Sequence, residues 1–504
     1  MFDMFIVGFA TIMSVKTIFL IALGVVVGII FGAIPGLTAT MAVALVLPIT
    51  YGLGPVQGMA VLIGLYIGGI SGGLIAAVLI KIPGTPSSIA TTFDGSPMAE
   101  RGEAGRALGI GVFFSFLGGM IGFCALFFIA PPLAKIALKF SPMEYFAIAL
   151  FSLTMIASLS GKSLSKGLVA GLIGVLLACV GNAPIDAFPR FTYGIYSLEA
   201  GFNLLPALIG LFAVSEIMKT AEADISMKDV KVADFSIRGF GVTLKEFKQQ
   251  FANMVRSSVI GTGIGILPGV GSGISNIIAY LAARNSSKHP EKFGTGCIDG
   301  LVASESSNNA TIGGALVPLL TLGIPGDTVT AMLLGGLMIH GIAPGPLLFQ
   351  TNGDIVYAIF AVLIIGNIFM LIAEYFGMRM FVRLLRIPKH YLLPVIIALC
   401  VVGSYGVNNR MFDVVTILIF GSLGYVMSKF DFPLPPIILG FILGPIAETN
   451  LRRGLMYTEG SFLPFITRPI AAAFLIVGIY SAVSTVIKNK RREKLEREAH
   501  MKEQ

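Results

Sequence analysis

Charge is what this sequence has least of. Of 504 residues only 12% are Asp, Glu, Lys or Arg, while 55% are hydrophobic. A soluble domain carries roughly 25% charged residues to face water, so a water-soluble globular class is excluded. Tryptophan is absent, and any aromatic belt at a membrane interface has to come from Tyr and Phe. The four cysteines, Cys124, Cys179, Cys297 and Cys400, each stand alone in or near apolar sequence, which excludes a disulfide framework and reads as packing. The four histidines are equally dispersed, without metal-ligand spacing. No Ser–Lys pair or His/Glu cluster stands at catalytic spacing, so an intramembrane enzyme is not expected. No Gly-x-x-x-x-Gly-Lys-Ser/Thr string occurs either, which leaves no phosphate-binding loop for ATP. The net charge of +8 comes from basic residues scattered through short loops and one tail, so nucleic acid is not the expected partner. The start, Met1-Phe-Asp-Met-Phe-Ile, lacks the basic region of a cleaved signal peptide.

Apolar runs, by contrast, fill the chain: Ile18–Ile34, Ala107–Ala130, Glu144–Leu159, Ile355–Phe376, Val414–Met427 and Ile470–Ile487 among them. Several approach or exceed the roughly 20 helical residues that cross a hydrocarbon core. Alternating segments of the kind that build a membrane β-barrel are missing. The expectation is an all-α integral membrane protein, a polytopic bundle of about 10–12 helices set against membrane lipid.

The chain also repeats itself. Gly32-Ala-Ile-Pro-Gly-Leu-Thr resembles Gly265-Ile-Leu-Pro-Gly-Val-Gly, and Ile82-Pro-Gly-Thr-Pro resembles Ile324-Pro-Gly-Asp-Thr. Stepping back from the second pair without a gap aligns Gly58 with Gly300, Ile70 with Ile312 and Gly72 with Gly314. A polar insertion around Arg284–Phe293 lengthens the second copy. Ser141-Pro-Met-Glu-Tyr and Ile387-Pro-Lys-His-Tyr extend the likeness, as do Pro206-Ala-Leu-Ile-Gly and Pro436-Ile-Ile-Leu-Gly. This gives a first transmembrane repeat over 1–218, a cytoplasmic linker over 219–250, a second repeat over 251–460, an extra C-terminal helix over 461–487 and a basic tail over 488–504.

Charge placement indicates that the two repeats are inverted. The loop Glu100–Arg106 carries two arginines, whereas its equivalent, Gly341–Asp354, carries no Lys or Arg. The basic insertion at Arg284–Lys292 corresponds to Tyr51–Gln57, which has none. With basic loops cytoplasmic, equivalent loops sit on opposite sides, as inverted-topology repeats require. Lys162, Lys166, the linker, Arg379–Lys389 and the C-terminal tail then lie inside. Lys135, Lys139, Arg452 and Arg453 fall outside, against the rule, and a parallel repeat is the rival arrangement.

Paired Gly/Pro interruptions of apolar segments are the sequence pointer to a transporter site. Four occur, two in each half, and they read as Pro-Gly-broken helices or re-entrant hairpins. The candidate substrate-binding residues are Pro35, Gly36 and Thr38; Pro83, Gly84, Thr85, Ser87 and Ser88; Pro268, Gly269, Gly271 and Ser272; and Pro325, Gly326 and Thr328. A helix start exposes unpaired N–H groups and the positive end of its dipole, which suits a carboxylate. Lys81, just before Ile82-Pro-Gly, reads either as a counter-charge for such an anion or as a lysine reaching along its stem to water. Against these stands the reading that Gly and Pro only serve close helix packing. Four breaks at repeat-equivalent places favour a site.

Polar residues inside apolar sequence supply the cation side. Glu305-Ser-Ser-Asn-Asn-Ala-Thr precedes the last break, Asp327 follows it, and Asn276 follows the third. Asn276, Asn308, Asn309 and Asp327 are the candidate coupling residues, with Na⁺ at Asn308, Asn309 and Asp327. Buried carboxylates carrying protons are the alternative, and Asp327 is also an ordinary N-cap type.

At these residues the sequence resembles the large membrane subunit of the tripartite tricarboxylate transporter family, TctA type. Gly32-Ala-Ile-Pro-Gly, Ile82-Pro-Gly-Thr-Pro, Gly323-Ile-Pro-Gly-Asp and above all Phe93-Asp-Gly-Ser-Pro-Met-Ala-Glu-Arg-Gly-Glu-Ala-Gly-Arg-Ala-Leu-Gly carry the likeness. The resemblance implies a bacterial inner-membrane permease without a cofactor. It further implies a small membrane partner subunit of about four helices, a periplasmic binding protein that delivers substrate, and ion-gradient-driven uptake of small di- or tricarboxylates. Where Lys81 stands, the family more often has a neutral polar residue. An anion channel and a scaffold without transport of its own are the rival functions.

Overall fold

The computed structural model describes residues 2–159, 163–222, 240–384 and 389–503. Lys162, residues 223–239 of the expected linker and residues 385–388 lie outside them, as do the side chains of the 488–504 tail. Among the described residues, eight helices are long and apolar enough to cross a membrane, and several shorter apolar helices accompany them. The strand pairing described is one two-residue antiparallel ladder, Gly181–Asn182 with Pro189–Arg190. The protein is an all-α polytopic membrane protein.

The chain forms two compact units, Met1–Ala137 with Leu208–Ser422, and Leu138–Ala207 with Leu423–Gln504. Each draws on both sequence halves. In the first unit the N-terminal half supplies α1 (Val15–Ala33), α2 (Ala39–Thr50), α3 (Pro55–Ser71), α4 (Gly73–Leu79), α5 (Ile89–Glu100) and α6 (Ala104–Ala137). The second half supplies α7 (Leu244–Ile266), α8 (Ser272–Ser286), α9 (Ile298–Leu322), α10 (Thr328–Ile339) and α11 (Gly353–Leu384).

Small residues determine how these helices cross. Gly24, Gly28 and Gly32 of α1 lie on the backbone of Val61, Leu65 and Gly69 in α3. Both series ascend, so the two helices run parallel. Gly261 and Gly265 of α7 lie in the same way on Ser307 and Thr311 of α9. These are the same positions under the repeat alignment. With no hydrophobic driving force between helices in lipid, such close backbone approach is a principal source of association. Gly118 and Gly122 of α6 lie similarly on Ser306 and Ala310 of α9.

Gly72 keeps helical dihedrals, so α3 and α4 form one nearly continuous rod to Leu79. Beyond Leu79 the chain doubles back, and Gly84 returns to the backbone of Gly73 and the Gly32 carbonyl. In the other half it turns at Gly323, and Gly326 returns to Ala315 and the Gly265 carbonyl. A Cβ at Gly326 would stand 2.6 Å from both the Ala315 Cα and the Gly265 oxygen, so only glycine fits. α5 and α10 then start from these interior tips. Re-entrant segments, foreseen as one of two readings of the Pro-Gly motifs, are what the chain builds.

The second unit contains Pro142–Leu159, Leu164–Ala178, Leu434–Tyr457 and Pro469–Glu503. Gly171 meets Pro436, Gly174 meets Ile437 and Phe441, and Val175 meets Gly444, an ascending series that makes the crossing parallel. Arg190 and Arg452 both bond Glu448, at 2.7 and 2.9 Å, and Arg452 also reaches Asp186 at 3.2 Å.

Candidate functional site

All four Pro-Gly breaks lie in the first unit. α1 ends at Ala33 and the chain turns through Pro35 and Gly36, where φ is +91°; Thr38 then caps α2 by accepting the Met41 N–H at 3.1 Å. α7 ends at Ile266 and turns through Pro268 and Gly269, where φ is +76°. Gly271 caps α8 without a side chain, so the first turn, beginning at Ser272, has no side-chain acceptor at its N–H groups. In the second break Thr85 and Ser88 form a reciprocal capping box, and the Thr85 and Ser87 hydroxyls are 2.6 Å apart. In the fourth, Asp327 Oδ1 accepts from the Thr330 N–H at 2.7 Å and its hydroxyl at 2.8 Å, while Oδ2 accepts from the Tyr66 hydroxyl.

The tips of the two halves touch each other. Thr40 and Thr328 share a hydroxyl hydrogen bond of 2.9 Å. Gly273 lies against Pro86, and these two positions are the repeat equivalents of Thr40 and Thr328. The second such pair is formed by side chains. Tyr66 donates across to the fourth break, and its equivalent, Asn308, donates across to the Ser87 carbonyl of the second break at 3.1 Å. Asn276 donates to that same Ser87 carbonyl. Gly271 lies against the Asp327 side chain, joining the third break to the fourth. The candidate substrate residues are thus brought to one interior locality, with Lys81 the exception.

Lys81 is two-thirds exposed and pairs with Glu100 at 3.1 Å. That exposure and pairing fit the second of its two readings, a lysine reaching along its stem to water. Its backbone, at φ +58°, adopts the left-handed turn that its repeat partner Gly323 adopts at φ +72°.

Of the four candidate coupling residues, Asp327 has both oxygens committed to local donors, the arrangement of an N-cap. Asn308 Oδ1 accepts from Asn309 at 2.6 Å. The side-chain oxygens of Asn276 and Asn309 are buried and have no hydrogen-bond partner among the described residues. They are the oxygens open to a hard cation. Beside them lies a carboxylate of the same polar string, one to which the proton-carrying alternative applies. Glu305 is fully buried, with Oε1 bonded by the Thr91 hydroxyl and Oε2 by the Ser115 hydroxyl at 2.7 Å and by Asn308 at 3.3 Å. Sequence alone does not single out Thr91, Ser115 or Tyr66. Tyr66 and Ser115 lie in apolar stretches of the other half and Thr91 in a hydroxyl-rich one, and no spacing announces their partners.

The Phe93–Gly109 string ties the halves together away from the tips. Asp94 Oδ1 accepts the N–H groups of Gly294, Gly296 and Cys297 at 3.0, 2.8 and 2.8 Å, and Arg101 donates to the Thr295 and Gly296 carbonyls. Arg106 reaches the Gly241 carbonyl and Glu246. The Thr243 N–H and hydroxyl, and then Arg106, hold the Glu246 carboxyl below the usual carboxylate range. A polar cavity of about 420 Å³ opens here between Arg101, Arg106, Glu246 and Lys292.

Doubled re-entrant tips of this kind, with buried polar groups between them, are transporter architecture. The model of the tripartite tricarboxylate transporter TctA family matches residues 18–439, a span that holds all four breaks and Glu305. The chain belongs to that family. This TctA-family chain is 36% identical over 484 residues to an uncharacterized 52.8 kDa protein in the TAR-I ttuC' 3' region of Agrobacterium vitis, covering 96% of each. A second protein of that organism, from the TAR-II ttuC' 3' region, is 36% identical over 231 residues, 46% of this chain and 96% of that one. No solved structure matches the chain. Membership makes it a membrane permease of a tripartite transporter family.

Proposed function

We propose that this TctA-family permease imports small di- or tricarboxylates by alternating access, driven by an inward Na⁺ or H⁺ gradient. It is a carrier rather than an enzyme, and it sits in the bacterial inner membrane with its C-terminus cytoplasmic. A periplasmic binding protein hands it substrate, and a small membrane subunit of about four helices completes the complex. The observation that carries the reading is the convergence of four helix starts in one unit. α2, α5, α8 and α10 all begin at or just beyond interior tips that touch one another. A ligand bearing two or three carboxylates matches several such positive ends at once, where a monoanion matches one. The unpartnered oxygens of Asn276 and Asn309 supply the cation side, next to Asn308 and the capped Asp327.

The test is uptake of radiolabelled di- and tricarboxylates into vesicles containing all three components, with Na⁺ and pH gradients imposed separately. The expected result is saturable accumulation that needs one of the gradients and falls to the rate of empty vesicles in Asn309→Ala. Flux that neither saturates nor responds to a gradient would replace the carrier with a channel. An assembled complex that moves no carboxylate would remove the substrate class.

A further inference from the structure

A carboxylate at membrane depth is costly unless it is paired, solvated or neutralised. Glu305 has no ion-pair partner among the described residues, and its three hydrogen-bond partners are all neutral. Several charged and titratable groups on the helices packed around it have partners of their own. Tyr66 of α3 and Asp327 at the start of α10 bond each other. Asp94 of α5 holds the 294–297 turn and lies beside Tyr280 of α8. Arg106 of α6 is taken by Glu246, and Arg256 of α7 by Asn253. Glu374 of α11, a second fully buried carboxyl, accepts from Ser71 at 2.9 Å.

The hydrogen bonds around Glu305 suit two protonation states. The Thr91 hydroxyl stands between Glu305 Oε1 and Ser304 Oγ, the latter at 3.2 Å. With Glu305 ionised, Thr91 donates to it. With Glu305 protonated, its O–H donates to Thr91, whose own hydrogen turns to Ser304 Oγ. A hydroxyl rotates to suit its neighbours, so neither state leaves a buried donor unpaired. Oε2 meanwhile faces two donors, the Ser115 hydroxyl and the Asn308 amide. An N–H aimed at that oxygen opposes a metal cation there, whereas a proton on Oε1 needs no room.

We propose that Glu305 is the proton-carrying group of this transporter, taking one proton from the outer side and releasing it to the inner side in each cycle. The inference rests on the carrier reading and deepens it by naming the coupling ion and its residue. The link to substrate is short. Thr91 lies in the first turn of α5, just past the second tip, and the Asn308 side-chain nitrogen contacts both Glu305 Oε2 and the Ser87 carbonyl of that tip. Protonation at Glu305 therefore alters the bonds that hold the loop from which α5 starts.

The test has two parts, both with the full-length chain. In vesicles with the complete complex and the membrane potential clamped at zero, one unit of pH gradient supports about tenfold accumulation for one proton per substrate. Glu305→Gln, which keeps shape and neutrality, is expected to lose that tenfold while still exchanging substrate across the membrane. Accumulation by Glu305→Gln equal to wild type, or wild-type accumulation that follows Na⁺ alone, overturns the proposal. The second part needs no substrate. Infrared difference spectra of the purified chain between about pH 4 and about pH 9 should show a protonated-carboxyl band that Glu305→Gln lacks and whose midpoint Thr91→Val moves. A wild-type chain without a Glu305 band, or a midpoint indifferent to Thr91→Val, overturns the proton site even where carboxylate uptake stands. A titrating band with no carboxylate uptake overturns the substrate reading instead.

Discussion

Lys81 and Gly323 hold the same place in two copies of one turn, and the difference between them is a local experiment already made. Both leave their helix in the left-handed region, at φ +58° and +72°. A side chain in that region costs roughly 1–2 kcal/mol, and the exposed pair of Lys81 with Glu100 returns about 0–1 kcal/mol. The difference of about 1 kcal/mol favours glycine, and the greater backbone entropy that glycine loses on folding, roughly 0.5–1 kcal/mol, offsets most of it. Lys81→Gly should therefore leave thermal stability within about 1 kcal/mol of wild type and leave carboxylate uptake intact. Uptake that fails in a well-folded Lys81→Gly protein would place the ammonium in the substrate path after all. The lysine stood out in the sequence because a cation next to a Pro-Gly break matches an anion site. Its αL backbone, which turns the side chain toward Glu100, depends on where the chain doubles back and is not written in neighbouring residues.

At the scale of the element, the re-entrant tip is held by absence of volume. Gly326 lies on Ala315 and the Gly265 carbonyl as Gly84 lies on Gly73 and the Gly32 carbonyl. Gly326→Ala must push the tip out of its seat, separating Thr328 from Thr40 and Asp327 from Tyr66. Gly263 of α7 meets nothing within 4 Å, and Gly263→Ala should gain about 0.5–1 kcal/mol from helix propensity. Thermal melting and uptake of the two variants side by side give opposite signs if the tip depends on glycine; equal behaviour would show that the tip yields. The four breaks were legible because proline removes a ladder donor and glycine accepts the turn, both properties of the residue itself. The Asp327 cap was legible for the same reason. That α4 and α5 share a level was not, because it depends on contacts between Gly84 and residues of other helices. The polar cluster was half legible. Asn308 and Asn309 stood out against the apolar pattern, whereas Thr91 and Ser115 became partners of Glu305 only when α5 and α6 of one half packed on α9 of the other.

For the whole molecule, the recurring contacts bear on sidedness. Gly28 with Leu65 and Gly261 with Ser307, Gly84 with the Gly32 carbonyl and Gly326 with the Gly265 carbonyl, are the same pairs twice over. Equal contacts within each half hold for a parallel or an inverted repeat, but contacts between the halves do not. Gly73 with Ser88 and Gly95 with Val78 run α5 along α4, while Gly95 with Leu301 and Thr91 with Ser304 run it against α9, so the equivalent rods are opposed and charge decides which face is cytoplasmic. Arg452, one of the residues against the rule, is bonded to Glu448 and Asp186, and its charge is locally offset. Acidic residues contribute little to the rule itself, so the stronger argument stays with the uninterrupted contrast between equivalent loops. Lys292 is exposed in the basic insertion, and Tyr51 is exposed in the equivalent loop without Lys or Arg. Cysteines placed one at a time at these positions, in a chain freed of its own four, should react with a membrane-impermeant maleimide from opposite faces, Lys292→Cys from the cytoplasmic side and Tyr51→Cys from the periplasmic side. Gln350→Cys, in the exposed loop equivalent to Glu100–Arg106, should label with Tyr51→Cys. Inversion puts the tip that precedes α5 and the tip that precedes α10 into the membrane from opposite faces, which gives a centrally held anion one re-entrant gate toward each side. Labelling of Lys292→Cys and Tyr51→Cys from one face would make the repeat parallel and leave both gates on the same side, where alternating access would need a different moving part.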